Sequence, residues 1–471
     1  MPLRLPFRFG AVTLTEAWLL HLAVVAEAPD GRRARGFAAD FLAPKWFDKD
    51  PARSHVDNML DLVGSAQAAA EVYAQITRSP RDLWTAWREA YPECRRRAAE
   101  RGWNGLVAAF GSALFERALA EAAGRLTGLD AVGLLRADAL GLRPAEIHPE
   151  IEPADWAAWV EREPPSAVFV RHTVGLVDPI TRDDVGPGGG PADGLPVTLE
   201  EYVARHGLTH FKLKLGGQVE ADLDRLHRIA AVLDRVRPGP CVVTLDGNEQ
   251  YRSLEDLQRF LDRLWESPAL RRLAASIHFI EQPLERAVAL DPAATAGLAA
   301  LGRLAPFLID ESDDDLDAFP RAVALGYRGV SSKNCKGIVK SFVNRTLVEA
   351  LNRRGRAGGG LFMSAEDLTN VPVVPLQQDL ATVRALGLGH VERNGHHYVR
   401  GLAHCSAAER RAALRHHPDL YEGGEADARL AVRAGRLALG SLAVPGYGLA
   451  FDPDLASMTP LEAWKPDHSP A

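Results

Sequence analysis

A TIM-like (β/α)8 barrel of the α/β class, joined to an α+β capping domain, is the architecture this sequence predicts, and three observations predict it. Short apolar runs alternate with longer helix-patterned stretches eight times between residues 167 and 392. Polar, chemistry-bearing residues close successive runs at steps of about one βα unit. The first third reads differently, as strand text followed by Ala- and Leu-rich helical text, and so belongs to a separate unit. With 471 residues, 46% hydrophobic and 25% charged, the chain has a globular composition and enough length for two domains. The expected division is a cap over residues 1–165, to which 420–471 returns, and a barrel over 166–419.

In chain order, strand-like runs at 7–14, 19–27 and 35–42 predict a three-stranded meander, the last two runs joined by the turn Pro29-Asp30-Gly31. Residues 57–142 carry helical spacing, as in Val107, Phe110, Leu114, Ala118 and Ala122. Pro144, Pro149, Pro153 and the pair Pro164-Pro165 punctuate a polar connector. The barrel strands are read at 167–174, 210–215, 241–246, 276–281, 307–310, 329–333, 361–364 and 389–392. Helical stretches at 220–236, 254–265, 316–325 and 339–352 lie between them. The Gly-rich stretch 186–190 has neither GK[ST] nor GxGxxG and reads as a loop, not a phosphate cradle. Hairpin-like text at 430–437 falls outside the eight units and is expected to return to the N-terminal domain.

Composition excludes several functional classes. A net charge of −7 gives no basic field for a phosphate backbone, which argues against a nucleic-acid partner. The apolar stretch 17–28 follows Arg4 and Arg8 and ends in Ala-Glu-Ala, but His21 and Glu27 lie within it and a turn follows, so it reads as hairpin and not as a signal peptide. No run approaches the roughly 18 apolar residues that span a bilayer, so no membrane role is expected. Cys94, Cys241, Cys335 and Cys405 are far apart with no CxxC, and read as reduced thiols of a cytoplasmic protein.

The basic residues are 8 Lys against 47 Arg, and five of the eight lysines fall between Lys212 and Lys340. Arg does not release its proton in a protein, whereas Lys can become a base, so the surviving lysines point to chemistry. Lys49, Lys340 and Lys465 are read as surface residues. In the second strand, period-two alternation puts Lys212 and Lys214 on one face, and crowding of the two charges is expected to lower a lysine pKa toward neutrality. Strand three ends at Asp246-Gly247-Asn248, strand four at Glu281-Gln282-Pro283 and strand five at Asp310-Glu311-Ser312. From Lys214 through Asp246, Glu281 and Asp310 to Lys333 the steps are 32, 35, 29 and 23 residues, so these groups should meet at one mouth. Three converging carboxylates require a hard cation, and all-oxygen ligation points to Mg²⁺.

These motifs resemble the enolase superfamily, in its muconate lactonizing enzyme and mandelate racemase branch, over most of the chain. The N-terminal meander and helices are similar to that family's cap, 212–333 to its barrel, and 445–452 to its closing strand. The resemblance implies Asp246, Glu281 and Asp310 as metal ligands, Lys214 as the base on one face of the substrate, and Lys333 as the lysine on the opposite face. Lys212 would then lie near the substrate carboxylate, with Asn248 and Glu311 as supporting groups. The region 360–369 offers Ser364, Glu366 and Asp367 but no His, which favours a Lys-Lys subgroup. Strand eight ends in Glu392-Arg393-Asn394 and lacks the Asp-x-Asp with which dipeptide epimerases hold an ammonium group. Asn334-Cys335 departs from the common family text, so Lys336 is kept as an alternative to Lys333.

Residues 41–54, with Pro44-Lys45-Trp46-Phe47, are expected to form a lid in which Lys45 and Trp46 close over an anionic substrate. Ser364 and Glu392 complete the set of groups beside the substrate. The adjacent pairs His396-His397 and His416-His417 are read as core or solvent-facing, since neighbours in sequence seldom share an ion. The expected activity is removal of the α-proton of a small carboxylate through an enediolate, by a racemase, epimerase or cycloisomerase. The alternatives are a syn-dehydratase of the o-succinylbenzoate synthase type and a barrel that binds a carboxylate without turnover. Homo-oligomerisation is the default expectation for such a protein.

Overall fold

The structure, a computed structural model, describes residues 1–9, 12–186, 188, 190–355 and 360–466. Strands β1 (Pro2–Phe9) and β2 (Val12–Glu16) pair antiparallel, and β3 (Leu19–Glu27) and β4 (Arg33–Phe41) form a second antiparallel pair. The expected three-stranded meander is therefore two separate hairpins. The run at 7–14 straddles the reversal of the first hairpin, whose residues 10 and 11 lie outside the described residues, as do 187 and 189 of the Gly-rich loop. Alternation continues on both sides of that reversal, so the period alone does not mark it.

Three long helices follow, α1 (His55–Ile76), α2 (Leu83–Glu100) and α3 (Gly105–Thr127). The Asn104 side chain starts α3 by accepting from the Leu106 and Val107 amides, and Gly128, at φ 75°, ends it. Strand β4 crosses α3 so closely that a Cβ on Gly36 would lie 1.8 Å from the Ala118 carbonyl oxygen. Only glycine admits this approach.

Eight parallel strands then close a barrel: β5 (Ala167–Val174), β6 (His210–Lys214), β7 (Val242–Asp246), β8 (Ile277–Glu281), β9 (Phe307–Ile309), β10 (Gly329–Ser332), β11 (Phe362–Ala365) and β12 (His390–Arg393). Each neighbours the next, and β12 pairs with β5 to complete the ring. All eight fall within a residue or so of the expected runs. Along β6, Phe211 and Leu213 are buried on the helix-covered face while Lys212 and Lys214 project inside.

After β12 the chain adds a small hairpin, β13 (Tyr421–Glu422) with β14 (Arg429–Leu430), and then β15 (Arg436–Ala438). Contrary to expectation, β15 joins the barrel sheet, antiparallel to the first half of β5. Residues 445–452, expected as a closing strand, run as turns across α3. There Gly446 packs against Gly124, the Tyr447 amide donates to Glu121, and Arg35 and Arg125 pair with Asp452. Among the described residues, no helix is long and apolar enough to cross a membrane.

Candidate active site

The strand register sets the level of the site. Lys214 is opposite Asp246 and Asp246 is opposite Glu281, so three charged side chains stand at one height on neighbouring strands. Asp310 leaves β9 and Lys333 leaves β10 at the same end of the barrel. Lys214 Nζ is 2.6 Å from Asp246 Oδ2, and Lys333 Nζ is 2.7 Å from Asp310 Oδ2. Lys212 Nζ lies 3.0 Å from Asp246, 2.7 Å from Glu281, 2.8 Å from Glu366 and 2.9 Å from Glu392. Lys336 is also buried and lies 3.2 Å from Asp310 Oδ1, but its other contacts are the Asp310 carbonyl, Ser331 and Asp313. The cavity at the mouth is lined by Lys333 and not by Lys336.

The balance of charge differs from the sequence reading. Burial acts to lower the Lys212 pKa, but Asp246, Glu281, Glu366 and Glu392 together raise it well above the ordinary value. Lys333 also moves upward: burial and the repulsion from Lys212 act to lower it, but Asp310, Glu281 and Glu392 together raise it. Crowding of like charges therefore does not dominate; the surrounding carboxylates do. Asp310 resists burial and sits well below the usual carboxylate range because Lys333 and Lys336 face it. Glu281 moves the opposite way, pushed up by burial and by its neighbours Asp246 and Glu366. Neither of its oxygens accepts a hydrogen bond, although Lys212 is within ion-pair distance.

The turns that present these groups are conformationally constrained. Asn248, Glu249 and Gln282 have φ of 42°, 67° and 34°, in the left-handed region that disfavours residues with a Cβ. The Gln282 side chain accepts from the Asp310 and Ser312 amides and donates to the Leu284 carbonyl and the Ser312 hydroxyl. It thereby fixes the turn that carries Asp310. The Asn248 amide nitrogen of the backbone donates to Asp246 and its side chain donates to Glu311, whose carboxyl is pushed up to about 7 by burial and by Glu249. Ser364 lies behind Glu366, donating to it, while Glu392 accepts from Thr173, Lys212 and the Asp367 amide.

Several groups escaped the sequence reading. Arg171 fills the barrel interior below the mouth, donating to Thr244, to the Ala365 carbonyl and to Glu366. Its inward position could have been found from the alternation of β5. Glu366 is a full member of the charged ring. Lys340, read as a surface residue, is buried against Asp313.

The segment 41–54 does cover the mouth, but not with the expected lysine. Trp46 is buried with its ring 4.4 Å from Lys333 Nζ, a cation–π contact. Lys45 turns back on its own loop and donates to the Asp50 and Arg53 carbonyls, away from the site. Lys49, read as a surface residue, pairs with Glu249 and donates to the Asn248 carbonyl. Arg286 ties the loop down by donating to the Trp46 and Phe47 carbonyls and to both Glu249 oxygens. Beneath it lies a cavity of about 30 Å³ bordered by Phe7, Trp46, Lys214, Asn248, Lys333 and Glu392.

A family model described as enolase C-terminal domain-like matches residues 195–455. No curated protein matches the chain. Among solved structures, a dipeptide epimerase from Methylococcus capsulatus, complexed with Mg and the dipeptide L-Arg-D-Lys, superimposes with a TM-score of 0.56 at 19% identity, over 96% of each chain. A mandelate racemase/muconate lactonizing enzyme from Bordetella bronchiseptica gives 0.55 at 19% identity, over 96% of this chain and 97% of that one. The 3,6-anhydro-D-galactonate cycloisomerase from Zobellia galactanivorans gives 0.52 at 14% identity, over 94% and 96%. At these identities the likeness concerns the fold.

Proposed function

This chain belongs to the enolase C-terminal domain-like family of the enolase superfamily, and from that premise we propose that it is a Mg²⁺-dependent isomerase or lyase that removes the α-proton of a small carboxylate. The observation that carries the reading is the ring at the barrel mouth, where Lys214 and Lys333 each pair with a different carboxylate and both Glu281 oxygens lack a hydrogen bond. A buried carboxylate without hydrogen bonds fits an ion ligand, and the all-oxygen donor set suits a hard cation. Asp246, Glu281 and Asp310 would hold it. The Methylococcus epimerase, with Mg and a dipeptide bound, supports the same metal class and a carboxylate ligand. When bound, Mg²⁺ supplies the positive charge that makes an α-proton removable at neutral pH.

The chain's own groups do the rest. Lys214 Nζ accepts the α-proton, and Lys333 Nζ delivers a proton to the opposite face, giving racemisation or epimerisation. Lys212, held as a cation by its carboxylate neighbours, stays charged and faces the substrate carboxylate. Trp46, fastened by Arg286, excludes water from the closed cavity. The stacking of Trp46 on Lys333 favours a second reading, in which Lys333 remains a fixed cation and Lys214 alone moves protons, as in a syn-dehydration or a cycloisomerisation.

The test is solvent exchange. Incubated with Mg²⁺ and a panel of carboxylic acids in D₂O, the protein should introduce deuterium at the α-carbon of its substrate. Lys214→Ala should slow this by about 10²–10⁴-fold, the usual contribution of a general base. Inversion of configuration supports the two-base route; exchange with retention, or product formation without inversion, supports the second reading. Ligand-induced thermal stabilisation with no exchange across hydroxy, amino and sugar acids would replace both with a carboxylate-binding role.

A further inference from the structure

His172, His396 and His397 form a cluster that the proposed reaction does not use. Along β5, Arg171 and Thr173 point into the barrel, bonded to Glu366 and Glu392, so His172 between them points outward. There it meets the short helical turn Gly395–Tyr398, which follows β12, the strand paired with β5. One ligating atom from each ring lies within 4.8 Å of the other two, and His172 Nδ1 is 3.0 Å from His396 Nε2. Burial holds His172 and His396 well below the ordinary imidazole range, so both are neutral, the form that coordinates metal.

Further features suit an ion. His396 Nδ1 and His397 Nδ1 are buried with no hydrogen-bond partner. His397 Nε2 lies 3.4 Å from Asp178, whose carboxylate also accepts from the Tyr398 hydroxyl, an arrangement that orients a ligating imidazole. Arg4, which reaches the His397 carbonyl, is spent on Asp193 and on backbone carbonyls. His396 is the one ring with partial exposure, and it borders a small cleft with Tyr202, His206 and Leu430 that leaves room for a water ligand. The sequence discounted His396-His397 because neighbours seldom share an ion; in the fold the turn Gly395–Tyr398 nonetheless brings a nitrogen of each to within 4.8 Å of the other and of the His172 ring.

We propose that His172, His396 and His397 form a second cation site, for a borderline transition-metal ion such as Zn²⁺, that staples the first barrel strand to the segment after the eighth. A four-coordinate ion with Zn–N bonds of about 2.0–2.1 Å needs ring nitrogens about 3.3 Å apart. His172 Nδ1 and His396 Nε2 are 3.0 Å apart, and one ligating atom from each of the three rings lies within 4.8 Å of the others, a range that includes this spacing. Imidazole donors select Zn²⁺, Co²⁺, Ni²⁺ or Cu²⁺ over Mg²⁺, so the site is chemically distinct from the barrel mouth.

The experiment is a Co²⁺ titration of the chelator-stripped full chain with excess Mg²⁺ present. One equivalent should bind with the intense visible bands of a four-coordinate, nitrogen-ligated ion, and Zn²⁺ should displace it. The bands should persist in Glu281→Gln and in His416→Gln, and vanish in His396→Gln and in His397→Gln. Weak bands of a six-coordinate, oxygen-ligated ion in the unaltered protein would overturn the proposal without any variant. So would intense bands that survive both histidine variants, or that disappear in Glu281→Gln.

Discussion

Gln282 is a positioning residue. Its one amide holds the Asp310 and Ser312 amides and the Ser312 hydroxyl, so the turn bearing Asp310 depends on a single buried side chain. Gln282→Ala should leave those donors unpaired, cost about 1–3 kcal/mol in urea unfolding, and weaken Mg²⁺ binding about 10–100-fold by calorimetric titration. Undiminished Mg²⁺ affinity would dissociate this clamp from the metal. The residues that the sequence brought forward here are those that end apolar runs: Lys214, Asp246, Glu281, Asp310 and Lys333 converge because strand alternation and barrel closure are local rules repeated along the chain. The pairing of Glu366 with Arg171 and Lys212 was not legible in the same way. Lys212 lies 154 residues from Glu366 and Arg171 lies 195 residues from it, and no local period encodes such a pairing. Lys45 and Lys49 were exchanged for the same reason, since composition places a lysine in the loop but not the direction in which it points.

At the scale of elements, the covering loop is a piece of the cap fastened to the barrel by charge. Glu249, almost fully buried, receives both Lys49 and Arg286, and Arg286 also holds two carbonyls of the loop. Arg286→Met should lower stability by about 1–3 kcal/mol, because charged hydrogen bonds to a buried carboxylate are lost. It should also speed amide hydrogen exchange over residues 44–50, while Lys45→Met, confined to the loop's own carbonyls, leaves the contacts with the barrel in place. Equal exchange in both variants would contradict the fastening role. The barrel strands were read to within a residue or so because each is a buried apolar run bounded by turn residues. The N-terminal hairpins were misjoined because alternation runs past the first reversal. The placement of β15 beside β5 is a pairing across more than 250 residues that hairpin-like text does not specify.

For the whole molecule, acid sensitivity follows from buried neutral imidazoles. His417, fully buried and bonded to Ser441, has its pKa lowered to about 4, mainly by burial. A depressed folded-state value means that its contribution is complete above the unfolded value of 6.5 and is lost as pH falls toward about 4. The loss is on the order of 3 kcal/mol. His417→Gln should therefore flatten the stability curve between those two pH values in chemical denaturation; an unchanged slope would show that the imidazole titrates freely in the fold.

Ring closure also has a consequence for synthesis. Strand β5 pairs with β6 through residues 171–174, but its opposite flank waits for β12, and its first half on the β6 side waits for β15; both lie more than 200 residues further along the chain. At ribosomal speeds this is an interval of roughly ten to forty seconds. Throughout it, a nascent strand of Val and Phe offers unpaired backbone to any other chain nearby. The two late strands are thus the natural shield of these backbone groups, one on each flank, and a polypeptide interrupted before residue 390 would be left adhesive as well as inactive.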